Sequence, residues 1–190
     1  MTSAAAYLGL LVCVAFERFA ELRISRRNRA SAIAQGGREY GAAAFRVMAA
    51  VHTIFLVACG AEVLILHRTF DSRVGVPALA LAFGAQTLRW WAIAALGPRW
   101  NVRVIVVPGL APVTTGPYRW LRHPNYLAVI VEIAALPLVH GAWLTAVVFS
   151  ALNAGLLAAR IRTEEAAMGD AYAVTFADTP RLVPHLRSGA

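Results

Sequence analysis

The chain has 190 residues, of which 59% are hydrophobic and only 15% are charged, against about 25% charged residues in typical soluble domains. That much apolar surface cannot all be buried in the core of a domain this small, so part of it must face lipid. The net charge of +8 comes from arginine alone, because the sequence contains no lysine. These arginines cluster between apolar runs, as the positive-inside rule for membrane proteins predicts, and this argues against nucleic-acid binding.

Five apolar segments follow one another along the chain and predict about five transmembrane helices. They cover residues 4–24, 47–66, 76–96, 124–139 and 142–159. About 20 residues are needed to cross the hydrocarbon core of a bilayer; the second and third segments reach this length, and the fifth nearly does. The fourth is short, and only His140 and Gly141 separate it from the fifth. These two segments are therefore predicted to form a tight helical hairpin.

Charged residues inside the segments are costly in lipid and are often functional. Arg89 lies within the third segment and is predicted either to pair with Glu62 or Glu132 or to line the path of the substrate. Glu132 lies two helical turns beyond Asn125, so its side chain can point back toward that residue. Arg89 and Glu132 are therefore candidate substrate-binding residues.

Other polar residues in the segments favour contacts within or between helices. Arg18 and Glu21 are spaced i,i+3 in the first segment and can form an ion pair. His52 and Asn153, in the second and fifth segments, are expected to form hydrogen bonds between helices. The two cysteines have no metal-ligand spacing, and no metal is predicted.

The arginines also orient the chain. They are concentrated in residues 25–39, 97–123 and 160–190, the last including Arg187. Five spans place all three stretches on one side of the membrane, and the positive-inside rule assigns that side to the cytoplasm. The expected location is a multi-pass position in the cell inner membrane or plasma membrane, with the N-terminus outside and the candidate site facing the cytoplasm.

Two regions outside the apolar segments are too polar or irregular to be exposed to lipid. Residues 97–123 contain four prolines and a β-favouring run at 102–107. Residues 160–190 begin as a continuation of the fifth helix and then become polar. Together they are predicted to form a cytoplasmic cap that binds a cofactor. The predicted fold is an all-α integral membrane protein with a three-helix membrane region at 1–96 and a catalytic region at 97–190.

The predicted hairpin returns the chain to the side that it left, so residues 116–126 and 160–165 should meet at one membrane face. The first stretch supplies histidine, arginine, asparagine and two tyrosines, and the second supplies arginine and two glutamates. Arg160 and Glu164 are spaced i,i+4 and project together on a helix. Taken singly, these residues also fit orientation signals, a solvated helix face, or a helix start with proline at its first position. Taken together, they can hold a zwitterionic cofactor.

Two motifs lie in these stretches. The first is Pro112-Val-Thr-Thr-Gly-Pro-Tyr-Arg-Trp-Leu-Arg-His-Pro-Asn-Tyr126, and the second is Arg160-xxx-Glu164-Glu165-xx-Met168. Together they resemble the signature of the isoprenylcysteine carboxyl methyltransferase family, with one helical hairpin between them. Tyr172 and Pro180-Arg-Leu-Val-Pro184 also resemble the tail of that family. The resemblance covers about residues 97–184.

The resemblance implies S-adenosylmethionine as the cofactor and methylation of an oxygen on a lipophilic substrate. The residues that it implies for cofactor binding are Val113, Tyr118, His123, Pro124, Asn125, Tyr126 and Glu164. It also implies that Arg160 lies near the substrate. A glutamine that contacts the cofactor in eukaryotic members has no clear match here, and Asn101 or Arg103 is the expected replacement.

Methyl transfer from a sulfonium depends on alignment more than on acid–base chemistry. A carboxylate acceptor is already ionised near neutral pH, and Arg160 can position it. A phenolic acceptor, with an ordinary pKa of about 10, needs a base or stabilisation of its anion, for which Glu165 and His123 are the candidates. Arg160 and Glu165 are thus the predicted catalytic residues, and the sequence leaves both acceptors open.

Two other functions stay open at this point. Membrane reductases that act on sterols or steroids with NADPH carry a similar Tyr-xxx-Arg-His-Pro-x-Tyr segment, and a non-enzymatic membrane scaffold is the third reading. The second motif favours the methyltransferase. The expected partners are membrane lipid and a lipophilic small molecule or lipidated substrate, with no nucleic acid and no metal. The absence of lysine indicates a GC-rich bacterial genome, which favours a lipophilic acid or long-chain phenol, reached laterally from the membrane, over a prenylated protein.

Overall fold

The computed structural model of the chain describes residues 2–183; Met1 and residues 184–190, with the predicted tail residues Pro184 and Arg187, lie outside the described part. Within it the chain forms five α-helices, two short β-strands and two 3₁₀ turns. The helices are α1 (Thr2–Ala34), α2 (Ala42–Ile65), α3 (Ser72–Leu96), α4 (Pro124–Leu138) and α5 (Trp143–Thr175). The strands are β1 (Arg38–Tyr40) and β2 (Val104–Val106), and the 3₁₀ turns cover Gly97–Arg99 and Gly116–Arg119.

Four of the helices, α1, α2, α3 and α5, are long and apolar enough to cross a membrane. The remaining helix, α4, has 15 residues and a length of about 23 Å, shorter than the roughly 30 Å of the hydrocarbon core. It packs against both α3 and α5 as the first half of the predicted hairpin. The prediction of a multi-pass helical membrane protein is confirmed, and the five predicted spans correspond to four full-length helices and this shorter one.

Both α1 and α5 continue well beyond their apolar segments. Each has 33 residues, or about 50 Å of helix, so one end projects beyond the bilayer. The apolar patterns end near residues 24 and 159 because lipid contact ends there, whereas the alanines and arginines that follow still favour helix. The regular conformation of α5 breaks at Gly169, whose φ is 69°, a left-handed value that favours glycine.

The loop at 97–123 that was predicted to belong to the cap forms a two-stranded antiparallel sheet with residues 38–40, so the all-α prediction is incomplete there. Its register pairs Arg38 with Val106, Glu39 with Ile105 and Tyr40 with Val104. β2 lies in the β-favouring run at 102–107, whereas β1 comes from a polar connection with no strand pattern of its own. Pairing over so many residues is not encoded locally, which is why the sequence did not predict it.

Glu39 fastens this sheet to the projecting end of α1. Its carboxylate accepts hydrogen bonds from Arg29 Nε at 3.0 Å and from Arg103. Desolvation acts in the opposite direction, but the two guanidinium groups together hold the pKa of Glu39 below its ordinary value of 4.5. The carboxylate is therefore ionised near neutral pH and binds both arginines.

At the opposite end of the bundle, Glu62 of α2 caps α5. Its carboxylate accepts the backbone N–H groups of Leu144 at 3.2 Å and Thr145 at 2.7 Å, and it pairs with Arg68 at 3.0 Å. A carboxylate at a helix N-terminus satisfies N–H groups that have no partner within the helix. Glu62 is thus occupied at α5 and is not the partner of Arg89.

The hairpin packs tightly against its neighbours at this end. A Cβ atom added at Gly75 of α3 would lie 2.6 Å from the carbonyl oxygen of Val139, closer than real Cβ contacts. The hydroxyl of Tyr7 in α1 donates to the carbonyl oxygen of Leu136 at 3.1 Å. These contacts hold α4 against α1 and α3, and so fix the position of its first turn, where the candidate site lies.

Candidate active site

A cavity of about 880 Å³ lies between the cap and the membrane helices, within the roughly 300–1,000 Å³ typical of ligand sites. Its walls come from α1, α2, the end of α3, the cap loop at 98–113, the first turn of α4 and the cap half of α5. Residues 116–126 and 160–165 meet here, as the helical hairpin predicted. The cavity therefore joins the cap motifs to the membrane interior.

The first turn of α4 is fixed from outside by the segment 177–183, which we call the strap. The strap folds back after α5, and its carbonyl oxygens at Pro180 and Arg181 accept the backbone N–H groups of Arg122 at 2.9 Å and His123 at 3.1 Å. The Arg122 side chain donates to Thr179 O at 2.5 Å. Pro124, which has no N–H, suits the first helical position. The strap thus satisfies the two backbone donors that precede α4.

Glu165 connects the strap to His123. Arg181 donates from Nε at 2.9 Å and from Nη2 at 2.6 Å to the two carboxylate oxygens, and His123 Nε2 lies 3.1 Å from Oε1. An ionised carboxylate only accepts hydrogen bonds, so this contact assigns a proton to Nε2 of His123. The imidazole, which is 4% exposed, also stacks on the ring of Tyr126, with centroids 5.2 Å apart. The orientation of the His123 ring and its tautomer are thereby set by Tyr126 and Glu165.

The hydroxyl of Tyr126 lies between Arg160 and Glu164. It donates to Glu164 and accepts from Arg160 Nε at 2.8 Å. Arg160 Nη2 donates to the carbonyl oxygen of Val102 at 2.5 Å, and its Nη1 is 3.8 Å from Met48 Sδ. Each Nη atom carries two N–H groups, so Nη1 and Nη2 each keep one further donor for a ligand beyond these contacts.

Asn125 carries an unused hydrogen-bond acceptor at the cavity wall. Its Oδ1 is buried and has no partner among the residues that the structure describes. Burying such a group costs free energy, which a donor on a bound ligand recovers. Tyr118 borders the same space; burial and then the charge of Glu164 raise the pKa of Tyr118 well above its ordinary value, so its phenol stays neutral. An orphan acceptor, a carboxylate and a guanidinium side by side fit the opposite charges of S-adenosylmethionine.

The structure brings most of the predicted site residues to this cavity. Those that border it are Arg89, Val113, Tyr118, His123, Asn125, Tyr126, Arg160 and Glu164, together with the proposed replacements Asn101 and Arg103. Pro124, Glu132 and Glu165 do not border it. Glu165 lies behind His123 and Glu132 behind Arg89, so in this structure each contacts a wall residue. The roles of all these residues in binding stay predictions.

A buried charged cluster forms the deep end of the cavity. Arg89 donates to Glu132, which was one of the two partners considered, and lies 3.8 Å from Glu21. Arg18 pairs with Glu21 at 3.1 Å, as the i,i+3 spacing predicted, and lies 3.8 Å from Glu132. Nearby, His52 Nε2 is 3.5 Å from Asn153 Oδ1, the expected contact between helices. Arg18 and Glu21 thus also border the cavity, although the sequence analysis gave them no site role.

One side of the cavity is formed by α1 and α2. Phe19 of α1 and Val57 of α2 both border it, and they are 53% and 65% exposed. They belong to candidate membrane spans, so the exposed parts of these side chains face lipid. Lateral entry of a lipophilic molecule from the bilayer stays a prediction.

Two residues that hold the site together lie in the quoted motifs, but the sequence gave neither of them a partner or a role. Arg122 and Arg181 act through the strap, and their partners lie 57 and 16 residues away along the chain. Arginines near a span end are expected from membrane orientation alone, so their positions in the sequence did not indicate which residues they contact. Only the fold-back of the strap shows that they contact the motif residues.

Comparison with known proteins identifies the same region. Residues 78–170 match the model of the isoprenylcysteine carboxyl methyltransferase (ICMT) family. The chain is 38% identical over 160 residues to YpbQ of Bacillus subtilis, covering 84% of this chain and 94% of that protein. It is 30% identical over 161 residues to a protein of Haemophilus influenzae, covering 84% and 93%. Both relatives carry the description "uncharacterized protein". The family match favours methyl transfer over the reductase and scaffold alternatives.

Proposed function

The chain belongs to the isoprenylcysteine carboxyl methyltransferase family, and on that premise we propose that it transfers a methyl group from S-adenosylmethionine to an ionised oxygen of a lipophilic acceptor. One observation carries the proposal: a single cavity is bordered both by the charged motif residues and by exposed apolar side chains of α1 and α2. A hydrophilic cofactor and a lipid-soluble acceptor can therefore meet in one space.

For the cofactor, the first turn of α4 and Glu164 supply the contacts. The Asn125 amide oxygen and the Glu164 carboxylate offer acceptors for an ammonium group, and His123 and Tyr126 provide a stacked aromatic wall. Bound S-adenosylmethionine supplies a sulfonium methyl group, whose transfer is a nucleophilic displacement. The protein contributes alignment and exclusion of water.

The contacts favour an acceptor that is already ionised. Glu165, the predicted base, has both oxygens paired with Arg181 and His123 and does not border the cavity. A phenol would therefore lack one of its two expected bases and keep only His123, whereas a carboxylate needs no base near neutral pH. Arg160 keeps one unused N–H on each Nη atom, which can donate charge-assisted hydrogen bonds to such an oxygen. We therefore assign Arg160 to positioning the acceptor and Glu165 to positioning His123.

The cofactor is tested by titration calorimetry of the detergent-solubilised protein with S-adenosylhomocysteine. We expect saturable binding by the wild type and by Asp170→Asn, which removes an exposed carboxylate from the same helix. Glu164→Gln should weaken binding at least tenfold, because one charge-assisted contact contributes about 1.5–3 kcal/mol. A folded wild-type protein that binds NADPH but not S-adenosylhomocysteine would overturn the proposal in favour of the reductase.

The acceptor class is tested by the chemistry of the product. Membranes that contain the protein are incubated with S-adenosylmethionine carrying a radioactive methyl group, and the extracted lipids are treated with alkali. A methyl ester releases volatile radioactive methanol under these conditions, whereas an aryl methyl ether does not. We expect release; label that stays in the lipid would show a phenolic acceptor.

For the membrane, we propose that the cap faces the cytoplasm, as the arginine distribution predicts. The arginine-rich stretches at 25–39 and 97–123 lie on the cap side, whereas the turn between α4 and α5 lies at the other end. Single cysteines introduced at Gly36 and Gly141, in a variant without Cys13 and Cys59, report the orientation. In intact cells, an impermeant maleimide should label the position at Gly141 and not that at Gly36; the reverse pattern would contradict this orientation.

A further inference from the structure

A second groove lies on the outer face of the α4–α5 hairpin and shares only Leu157 with the candidate active site. It encloses about 380 Å³. Its walls are mostly small or apolar and comprise Ile130, Ser150, Asn153, Ala154, Leu157, Ala158, Ile161 and Leu182, with Arg162 and Arg181 at the cap end. Ala154 and Ala158 are exposed, so the groove is open along the surface of a membrane-spanning helix, where lipid is the neighbour.

The length of the groove matches one lipid leaflet. Along α5 it extends from Ser150 to Arg162, which at 1.5 Å per residue is about 18 Å. The hydrocarbon core of a bilayer is about 30 Å thick, so one leaflet contributes roughly 15 Å. A chain lying in the groove would run from the level of Arg162 to the middle of the bilayer.

The cap end of the groove carries unbalanced positive charge. Glu165, spaced i,i+3 from Arg162, pairs instead with His123 and Arg181. Arg181 uses Nε and Nη2 for that carboxylate, which leaves Nη1 free of it. Arg162 is exposed, and among residues 2–183 no carboxylate lies within ion-pair distance of it. At the cap end of the groove, Arg162 therefore carries a positive charge that no described carboxylate balances, and Arg181 pairs with a carboxylate that also binds His123.

We propose that this groove binds an anionic phospholipid, with one acyl chain along α5 and the phosphate between Arg162 and Arg181. Guanidinium groups match the geometry and charge of a phosphate, and the groove matches an acyl chain in length and polarity. A zwitterionic lipid would bring its own cation to the same place, so the two arginines select for net negative charge. Each arginine near a membrane surface strengthens binding of anionic lipid by about fivefold.

Native mass spectrometry from detergent tests the proposal, with dioleoyl-phosphatidylglycerol and dioleoyl-phosphatidylcholine added in equal amounts. We expect the wild type to retain the anionic lipid preferentially and Arg162→Gln to lose about fivefold in that preference. The matched control is Arg27→Gln, an exposed arginine on the cap side of α1, which should behave as the wild type. Equal retention of both lipids by the wild type, or an unchanged preference in Arg162→Gln, would overturn the proposal.

A second variant separates the groove from surface charge. Ala158→Phe fills the groove without altering charge, so it should abolish retention of the anionic lipid while the helical circular dichroism spectrum stays unchanged. Retention by this variant would refute an acyl chain in the groove. Soluble glycerol phosphate that competes as strongly as the lipid would refute it as well. A dimer that disappears in Ala158→Phe, with no lipid bound to the monomer, would assign the groove to a second copy of the chain and overturn the proposal.

Discussion

At the deep end of the cavity, replacing only one residue of the buried Arg89–Glu132 ion pair should destabilise the protein nearly as much as, or more than, replacing both residues with apolar ones. Arg89 is 5% and Glu132 8% exposed, and their side chains are in direct contact. Removing one partner of a buried pair typically costs about 3–5 kcal/mol because a charge is left without compensation. Each partner here keeps a weaker neighbour at 3.8 Å, Arg18 for Glu132 and Glu21 for Arg89. We therefore expect about 3 kcal/mol for Arg89→Met and for Glu132→Met.

The double variant distinguishes this reasoning from a loss of packing. Replacing both partners with methionine leaves no unpaired charge, so its loss should be well below the sum of the two single losses. For a chain of this size, about 3 kcal/mol corresponds to a fall in Tm of roughly 6–12 °C, which thermal unfolding in detergent resolves easily. Arg73→Met, which removes an exposed arginine from the same helix, is the control and should change Tm little. Single variants that lose less than about 1 kcal/mol, or a double variant that loses the full sum, would refute the argument.

Three further outcomes are expected. Arg181→Gln should raise the Kd for S-adenosylhomocysteine several-fold in calorimetry, whereas Tm should fall little because the arginine is 61% exposed and exposed ion pairs contribute about 0–1 kcal/mol. An unchanged Kd would show that Glu165 positions His123 without Arg181. Gly75→Ala should lower the free energy of unfolding by about 1–3 kcal/mol through overpacking, whereas Gly84→Ala, with open space at its Cβ, should not. Equal unfolding curves for the two variants would contradict the close contact of Gly75 with Val139. Because folding lowers the pKa of Glu39, its carboxylate stabilises the protein above the ordinary pKa of 4.5, and this stabilisation is lost as pH falls below that value. The Tm of Glu39→Gln should therefore fall less with acid than that of the wild type; parallel curves of Tm against pH for the two proteins would contradict this role of Glu39.

The membrane helices were predictable because hydropathy is read locally. Segments of about 20 apolar residues can hardly be anything but spans, and a two-residue separation of the fourth and fifth segments allows only a tight hairpin. That hairpin in turn predicted that residues 116–126 and 160–165 meet, and they do at the cavity. The ion pair of Arg18 with Glu21 and the contact of His52 with Asn153 followed from spacing and from the cost of polar groups in lipid.

What the sequence left undecided or did not predict depended on contacts between distant parts of the chain. Arg89 had two possible partners, and only the position of Glu62 at the N-terminus of α5 decides for Glu132. Glu165 is next to Glu164 in sequence, yet successive helical residues point in different directions, so Glu164 borders the cavity and Glu165 lies behind His123. The pairing of β1 with β2 and the return of the strap similarly require the folded bundle.

The strap also has a consequence for the order in which the parts of the site can form during synthesis. A chain elongating on the ribosome inserts its helices as they emerge, but the N–H groups of Arg122 and His123 have to wait for the carbonyl oxygens of Pro180 and Arg181. Until residues 177–183 have been translated, these two N–H groups have no protein acceptor, although the other helices can already be inserted in the membrane. The turn that carries His123 therefore gains its final support only when a segment more than 50 residues further along the chain has folded back onto it.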